Sequence, residues 1–262
     1  MIIFENHLVN TQISNVEGGL RVTANNQKKQ RPLVTVITAV LNGANAIEKT
    51  IQSVLVQKQH HIEYLVIDGG STDGTIDILR RYSDSIDYWI SAPDKGIYDA
   101  FNKGWDMASD ESYILFLGAG DRIISLPPIE VIEKSEVVYG NVMFDEGNRF
   151  TSKADFRLRL GNTLHHQSLL VKKSLSPASP FDTAFKTYAD FDFNQRLHKQ
   201  KVKFTFAKEF VSYAMPGGRS KDFQMGESLR IVRKNFGLFY AGIAFMYYLA
   251  QSLRNKVTNR EN

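Results

Sequence analysis

After a polar opening stretch that ends in Asn25-Asn26-Gln27-Lys28-Lys29-Gln30-Arg31, the chain turns apolar at Leu33-Val34-Thr35-Val36-Ile37-Thr38-Ala39-Val40. A short, β-branched and nearly unbroken apolar run is what a parallel strand buried on both faces requires. Ile47, Ile51, Val54 and Leu55 then recur at i, i+4, i+7 and i+8, one face of a helix, and Asn45 with Glu48 reads as the capping box at its start. Ile62 to Asp68 reads as a second strand, entering Gly69-Gly70-Ser71-Thr72-Asp73-Gly74 and a helix over Thr75 to Tyr82. A third strand over Asp87 to Ser91 precedes a helix opened by Gly96, with Tyr98, Phe101, Trp105 and Ala108 at helical spacing. Tyr113 to Leu117 is a fourth strand, ending at Gly118-Ala119-Gly120-Asp121.

This alternation predicts an α/β fold: a Rossmann-like, mostly parallel central sheet with helices on both faces. Beyond residue 122 the pattern loosens. Strands are expected at Val137 to Met143, Ser168 to Val171 and Lys203 to Phe206, with a helix over Asp190 to His198. The division that follows is an extension over 1–31 with little core of its own, a catalytic domain over 32–220 split near 121, and a helical tail over 221–262. Ligands of open α/β sheets bind beyond the carboxyl ends of the strands. Asp68 and Asp121 stand at such ends and Asp94 just past a third, so three carboxylates are expected along one edge.

Composition narrows the chemistry. The 262 residues contain no cysteine, which excludes a disulfide framework, a thiolate zinc site and a cysteine nucleophile. The first ten residues carry no basic stretch followed by a long apolar core, so no secretory signal is expected. Net charge is +4, yet Ala214 to Asn262 alone holds eight Lys and Arg against three acids. The positive charge is therefore local to the tail, and no zinc-finger, RNP or helix-turn-helix signature turns it into a nucleic-acid site.

Individual residues remain open on their own. Asp68 before two glycines suits hydrogen bonds to a ribose or base as well as an ordinary turn, and the loop lacks both G-x-G-x-x-G and the Walker Gly-Lys-Ser/Thr. Asp121 suits one carboxylate of a Mg²⁺ or Mn²⁺ diphosphate site, or a plain turn. Tyr98, Asp99 and Asn102 fall close to one helix face beside Asp94. His165 and His166 are adjacent, so at most one faces a given pocket, and metal spacing H-x-x-x-H is absent. Asp190 and Asp192 are either a general base with a neighbour, or first-turn acids favoured by the helix dipole. Met215-Pro216-Gly217-Gly218-Arg219-Ser220 is a cationic loop that either closes over a diphosphate or links to the tail. Phe236 to Ala250 is aromatic-rich, flanked by Arg233-Lys234 and Arg254-Lys256. At 15 residues it falls short of the roughly 20 a spanning helix needs, which leaves an interfacial helix or a buried cover for the core.

Taken in order, Thr38-Ala39-Val40-Leu41-Asn42-Gly43, Val66-Ile67-Asp68-Gly69-Gly70-Ser71-Thr72-Asp73-Gly74-Thr75, Asp94-Lys95-Gly96-Ile97-Tyr98-Asp99-Ala100-Phe101-Asn102-Lys103-Gly104 and Leu117-Gly118-Ala119-Gly120-Asp121 resemble family-2 inverting glycosyltransferases of the GT-A fold. The likeness is to bacterial enzymes of capsule, O-antigen and exopolysaccharide assembly. It is specific from about Pro32 to Asp121 and weaker at Gly18-Gly19-Leu20-Arg21, His166-Gln167, Ala189-Asp190-Phe191-Asp192 and Gly217-Gly218-Arg219-Ser220.

The resemblance implies a nucleotide-diphosphate sugar donor, UDP-linked by default, and a hydroxyl acceptor on a polyprenyl-diphosphate-linked glycan. It also implies a divalent metal and a cytoplasmic enzyme peripheral on the inner face of the membrane through its tail. Donor contacts fall to Thr38, Val40, Asn42, Asp68, Gly69, Asp94, Lys95, Tyr98, Asn102, Gly120, Asp121 and Arg219. Asp121 is the metal carboxylate, Asp190 the catalytic base, and His166, Gln167 and Asp192 lie on the acceptor side, Asp192 also competing as base. Two positions depart from the family pattern: Gly120 stands where an aspartate is common, and Ala189 where a glutamate precedes the base. Two other readings stay in view. One is a sugar nucleotidyltransferase, although Leu41-Asn42-Gly43-Ala44-Asn45 carries no cation. The other is a catalytically degenerate binding or scaffold protein of the same fold.

Overall fold

The computed structural model describes residues 16–23, 32–144, 147–176, 178–217 and 223–258. The expected parallel core is present: β2 (Val34–Val40), β3 (Ile62–Asp68), β4 (Tyr88–Ser91) and β5 (Tyr113–Gly118) lie side by side in the order β4-β3-β2-β5, all parallel. All seven residues of β2 are buried, because both faces of the sheet are covered. Ile37, Ala39, Leu65 and Ile67 face one apolar core with Phe101, Trp105 and Phe191, while Val34, Val36, Tyr64 and Val66 face the other with Ile47, Ile51, Val54 and Leu79. The period-2 alternation of each strand thus feeds two helix layers.

α2 (Ile47–Gln57) and α3 (Thr75–Arg81) cover the second face, and α4 (Ile97–Met107) the first. The capping box expected at Asn45 does not form. The helix begins at Ile47, with Ala46 at the cap and no side-chain cap bond. The loop before it is held from outside: Ser71 Oγ lies 2.7 Å from the Asn42 N–H, Thr75 Oγ1 3.0 Å from that of Gly43, and Asp73 2.9 Å from that of Ala44.

The second half builds a mixed extension of the sheet. β6 (Arg122–Ser125), α5 (Ile129–Glu133), β7 (Val137–Met143), β8 (Arg149–Phe150), β9 (Leu169–Lys172) and β10 (Phe204–Tyr213) continue the strand order as β5-β9-β7-β10-β6, with β8 on β7. β9 runs antiparallel to both β5 and β7, and β10 parallel to β7. α6 (Ala189–Lys199) packs over the same face as α4.

Two segments behave differently from expectation. Part of the leading stretch belongs to the sheet. β1 (Val16–Gly18) pairs antiparallel with β4, and α1 (Leu20–Thr23) follows, with Arg21 2.5 Å from Glu63. The tail helix α7 (Met225–Thr258) is interrupted at Gly237, whose φ 86° and ψ 179° no helix contains. Ser228 Oγ lies 2.7 Å from Tyr248 Oη, although twenty residues of straight helix would separate them by about 30 Å. The two arms therefore fold back on each other at Gly237. The first arm buries Ile231, Val232 and Asn235, and the second buries Ala244 and Tyr248.

Candidate active site

The carboxyl edge of the parallel core is a set of interlocked loops. Asp68 closes β3 fully buried, and its carboxylate accepts from the N–H groups of Gly70 (3.1 Å) and Ser71 (2.9 Å) and the hydroxyls of Ser91 (2.5 Å) and Ser71. These bonds fold the Gly69–Gly74 turn beneath the sheet edge. Asn42, at φ 50°, accepts from the Thr72 N–H at 2.9 Å and locks the first loop to the second. Asp94 is the half-exposed carboxylate of this edge. One of its oxygens accepts from Gly96 N–H at 2.8 Å, and the other lies so close to Gly69 that a Cβ there would sit 2.5 Å away. A side chain at Gly69 would push the Asp94 carboxylate aside, a contact that sequence spacing does not reveal.

Asp121 hangs from the turn after β5. Its carboxylate accepts from Gly118 N–H at 2.8 Å, Met215 N–H at 2.9 Å and Gln167 Nε2 at 3.2 Å. Burial raises its pKa above the ordinary carboxylate value, and the nearby His166 and these donors offset only part of that. Gly120 explains its own presence: at φ 100° it lies under Met215, and a Cβ would overlap the sulfur. An aspartate at that position would meet both the overlap and the left-handed strain. The Met215 loop therefore starts directly on the Asp121 carboxylate.

Asp190 opens α6 and is also buried. Its Oδ2 lies 3.3 Å from His166 Nδ1 and 3.4 Å from Asn162 Nδ2, and its Oδ1 accepts from Tyr98 Oη at 3.2 Å. Burial, the largest single influence, opposes ionisation of Asp190, but hydrogen bonding and attraction to His166 outweigh it and hold its pKa below normal. His166 answers in the opposite direction: burial favours its neutral form, yet Asp190 and Asp121 keep its pKa raised. His165 points the other way, against Phe144 and Phe150, where burial drops its pKa to about 4. As the adjacent spacing requires, only one histidine faces the site.

The 3-10 turn His166–Ser168 thus places consecutive side chains on two carboxylates, His166 on Asp190 and Gln167 on Asp121. Asn162, which nothing in the sequence singles out, and the amide of Met215, at the start of the expected cationic loop, join the same cluster. The buried Oε1 of Gln167 has no hydrogen-bond partner. No group of three His, Cys, Asp or Glu able to hold a metal occurs among the described residues. The donor set on offer is a carboxylate and an unpartnered amide oxygen, which fits a hard cation completed by phosphate oxygens and water.

Other expected residues have different surroundings. Thr38 is fully buried inside β2, its hydroxyl 3.1 Å from Tyr64 Oη, and Val40 is buried at the strand end, where its carbonyl accepts from Gly69 N–H. Asn102 is held at both ends by the backbone of Phe181, at 2.8 and 3.0 Å, and pins a loop. Tyr98 also donates to the Thr187 carbonyl at 2.7 Å, which puts it on the Asp190 side. Asp192 is fully buried and turned to the tail, with Arg196, Lys234 and Asn235 each at 3.0 Å. These bonds anchor α6 to the first arm of α7. Lys95 is exposed at the mouth, and Arg219 lies outside the described residues.

Residues 35–174 match the family described as Glycosyl transferase family 2. The chain belongs to glycosyl transferase family 2. This family-2 transferase is 29% identical over 204 residues to the PGL/p-HBAD biosynthesis glycosyltransferase of Mycobacterium bovis (strain BCG / Pasteur 1173P2), covering 72% of this chain and 79% of that one. A 96-residue stretch is 40% identical to the putative teichuronic acid biosynthesis glycosyltransferase TuaG of Bacillus subtilis (strain 168), 35% of this chain and 37% of that one. Two solved structures share its fold. S. aureus TarS in complex with UDP gives a TM-score of 0.58 at 16% identity, over 77% of this chain. The mannosyltransferase PcManGT from Pyrobaculum calidifontis, in complex with GDP-Man and Mn²⁺, gives 0.55 at 18%, over 79% of this chain. Each alignment spans 64% of the solved chain, and at such identities the likeness is one of GT-A architecture.

Proposed function

We propose that this family-2 transferase moves a sugar, with inversion, from a nucleotide-diphosphate donor to a hydroxyl of a lipid-linked glycan acceptor in bacterial surface polysaccharide synthesis. The observation that carries the reading is the pairing of Asp121 and Asp190 through His166-Gln167. One carboxylate stands at the sheet edge where nucleotides bind in this architecture, the other at the mouth of α6. The solved neighbours are bound to UDP and to GDP-Man with Mn²⁺, which supports a nucleotide-sugar donor and a divalent ion. UDP is our choice of nucleotide.

The loops around Asn42, Gly69 and Asp94 hold the nucleotide, with Asp94 providing the accessible carboxylate oxygen. Asp121, with the Gln167 carbonyl oxygen, would hold Mn²⁺ or Mg²⁺, which when bound offsets charge on the diphosphate. The acceptor oxygen attacks the anomeric carbon from the face opposite the diphosphate. Its proton passes to Asp190, and the bond from that carbon to the diphosphate oxygen breaks. His166 and Tyr98 orient the Asp190 carboxylate, and burial excludes water from the transfer. Asp190→Asn is expected to lower turnover by about 10²–10⁴ while nucleotide affinity is retained. Unchanged turnover would reject Asp190 as the base. Calorimetric titration of UDP, GDP and dTDP with and without Mn²⁺ identifies the donor, and Asp121→Ala is expected to abolish the metal-dependent part.

The membrane reading rests on the second arm of α7. By length and composition Met225–Leu253 would pass as a spanning helix, with only 11% of its most apolar window buried, but the reversal at Gly237 divides it. Tyr248 and Ala244 fasten the second arm to the domain, while Leu238, Phe239, Met246 and Leu253 project outward. An arm held along one side and apolar on the other suits the interfacial plane of a cytoplasmic membrane face.

A further inference from the structure

Beside the mouth of the site lies an open hollow of about 340 Å³ lined by Phe185, Arg230, Arg233 and Lys234. Its cations are not equivalent. Lys234 is held by Asp182 (2.9 Å) and Asp192 (3.0 Å), so it is locally neutralised. Arg230 and Arg233 are exposed and have no carboxylate partner among the described residues. Spaced i, i+3 on the first arm of α7, they share a helix face. Phe185 forms the floor, nearly buried, with the Arg230 guanidinium 5.6 Å from its ring centroid. An aromatic floor with two unpaired guanidinium groups matches the oxygens of phosphates, which Arg binds in bidentate fashion.

The position of this hollow specifies the ligand further. Phe185 also lines a small cleft with Lys95, Tyr98 and Lys186, and the Tyr98 hydroxyl is 3.2 Å from Asp190. On the other side, the first arm runs from Arg233 to the reversal at Gly237, after which Leu238 and Phe239 are the most exposed apolar residues of the second arm. A line from Asp190 through Tyr98 and Phe185 thus reaches the guanidinium pair, and four residues past Arg233 the reversal at Gly237 leads into the apolar arm. An acceptor laid along that line puts its sugar hydroxyl at Asp190, its phosphates at the guanidinium pair and its lipid on the arm.

We propose that Arg230 and Arg233, over Phe185, form the subsite for the diphosphate that joins the acceptor glycan to its lipid. The inference rests on the lipid-linked acceptor reading above. It is tested with geranyl diphosphate, short enough to stay in solution without a membrane, titrated into the full chain. The wild type is expected to bind it, the Arg230→Ala/Arg233→Ala variant at least tenfold more weakly, and Asp121→Ala with unchanged affinity. The lysine pair Arg230→Lys/Arg233→Lys is expected to recover part of the loss, with melting temperature reporting intact folding throughout. Absence of binding to the wild type would overturn the subsite, as would a loss confined to Asp121→Ala, which would place the probe in the donor site. Equal affinity for inorganic pyrophosphate would make it a free-anion site and overturn the lipid assignment. Flotation with phosphatidylglycerol vesicles, using Phe239→Glu with both arginines in place, reads the membrane separately. If the arginine variant lost vesicle binding as steeply as geranyl diphosphate binding, the pair would belong to bulk headgroups and the proposal would fall.

Discussion

At the scale of single residues, His166 is the strongest of the neighbours that hold Asp190 ionised. Burial alone would push its pKa upward, so removing the imidazole leaves the upward pressure unopposed by its strongest counterweight. His166→Asn is expected to move the acid limb of the kcat/KM profile to higher pH, because protonated Asp190 cannot accept a proton. A profile that stays in place while kcat alone falls would limit His166 to shaping the pocket. The two groups couple stability to pH in opposite directions. The depressed Asp190 contributes stability above its unfolded pKa, lost as pH falls through the folded value. The raised His166 contributes stability that disappears as pH climbs through its own folded pKa. Gly120 is the other telling position. Gly120→Ala adds left-handed strain of about 1–3 kcal/mol and displaces Met215. A lowered melting temperature together with weakened nucleotide binding is the expected result, since Met215 N–H also holds Asp121.

At the scale of elements, the strands and helices from β2 to β5 were legible because each carries one clear period, all-apolar for buried strands and 3.6 for helices. What escaped was whatever depended on a distant partner. Asn45 and Glu48 have the spacing of a cap, yet Ser71, Asp73 and Thr75 hold that loop instead, and no local pattern announces them. β10 reaches Tyr213 with exposed positions such as Phe206 and Lys208 interleaved, which blurs its alternation. Asp68 ends β3 as its pattern predicts, but the hydrogen bonds that its carboxylate takes from Gly70, Ser71 and Ser91 depend on loop geometry and on a neighbouring strand. The His166-Gln167 bridge joins residues 46 and 24 positions apart, beyond any periodicity. Asp192 shows the same limit: chemically identical to Asp190 and two residues away, it faces the opposite side of α6 and binds α7. Asp192→Ala is expected to cost about 3 kcal/mol or less in urea denaturation, discounted because Lys234 and Arg196 remain partly solvated. The acid limb set by Asp190 is expected to stay where it is.

At the scale of the whole molecule, the first arm of α7 carries the exposed Arg230, Arg233 and Lys234, and the second carries the exposed Leu238, Phe239, Met246 and Leu253. In the membrane reading, electrostatic attraction to the first arm and apolar insertion of the second act together. Leu238→Glu with Phe239→Glu is expected to abolish flotation with anionic vesicles while calorimetric nucleotide binding is retained. Vesicle binding equal to the wild type would remove the arm as the contact. The apolar run and its basic flanks were readable in advance. The reversal was not, because Gly237 inside an apolar helix pattern looks merely tolerated.

The three-residue strand Val16–Gly18 has a consequence of a different kind. Without it, β4 would present a row of unpaired N–H and C=O groups along the end of a ten-stranded sheet, an open template for another chain. With it, the last strand among the described residues is only three residues long, too short to recruit a neighbour, and Gly18 is pressed against the Trp89 ring. Shortening the chain to start at Pro32 would leave the residues proposed for catalysis in place and is still expected to produce a protein prone to self-association. Light scattering during refolding would register this before any assay of transfer did.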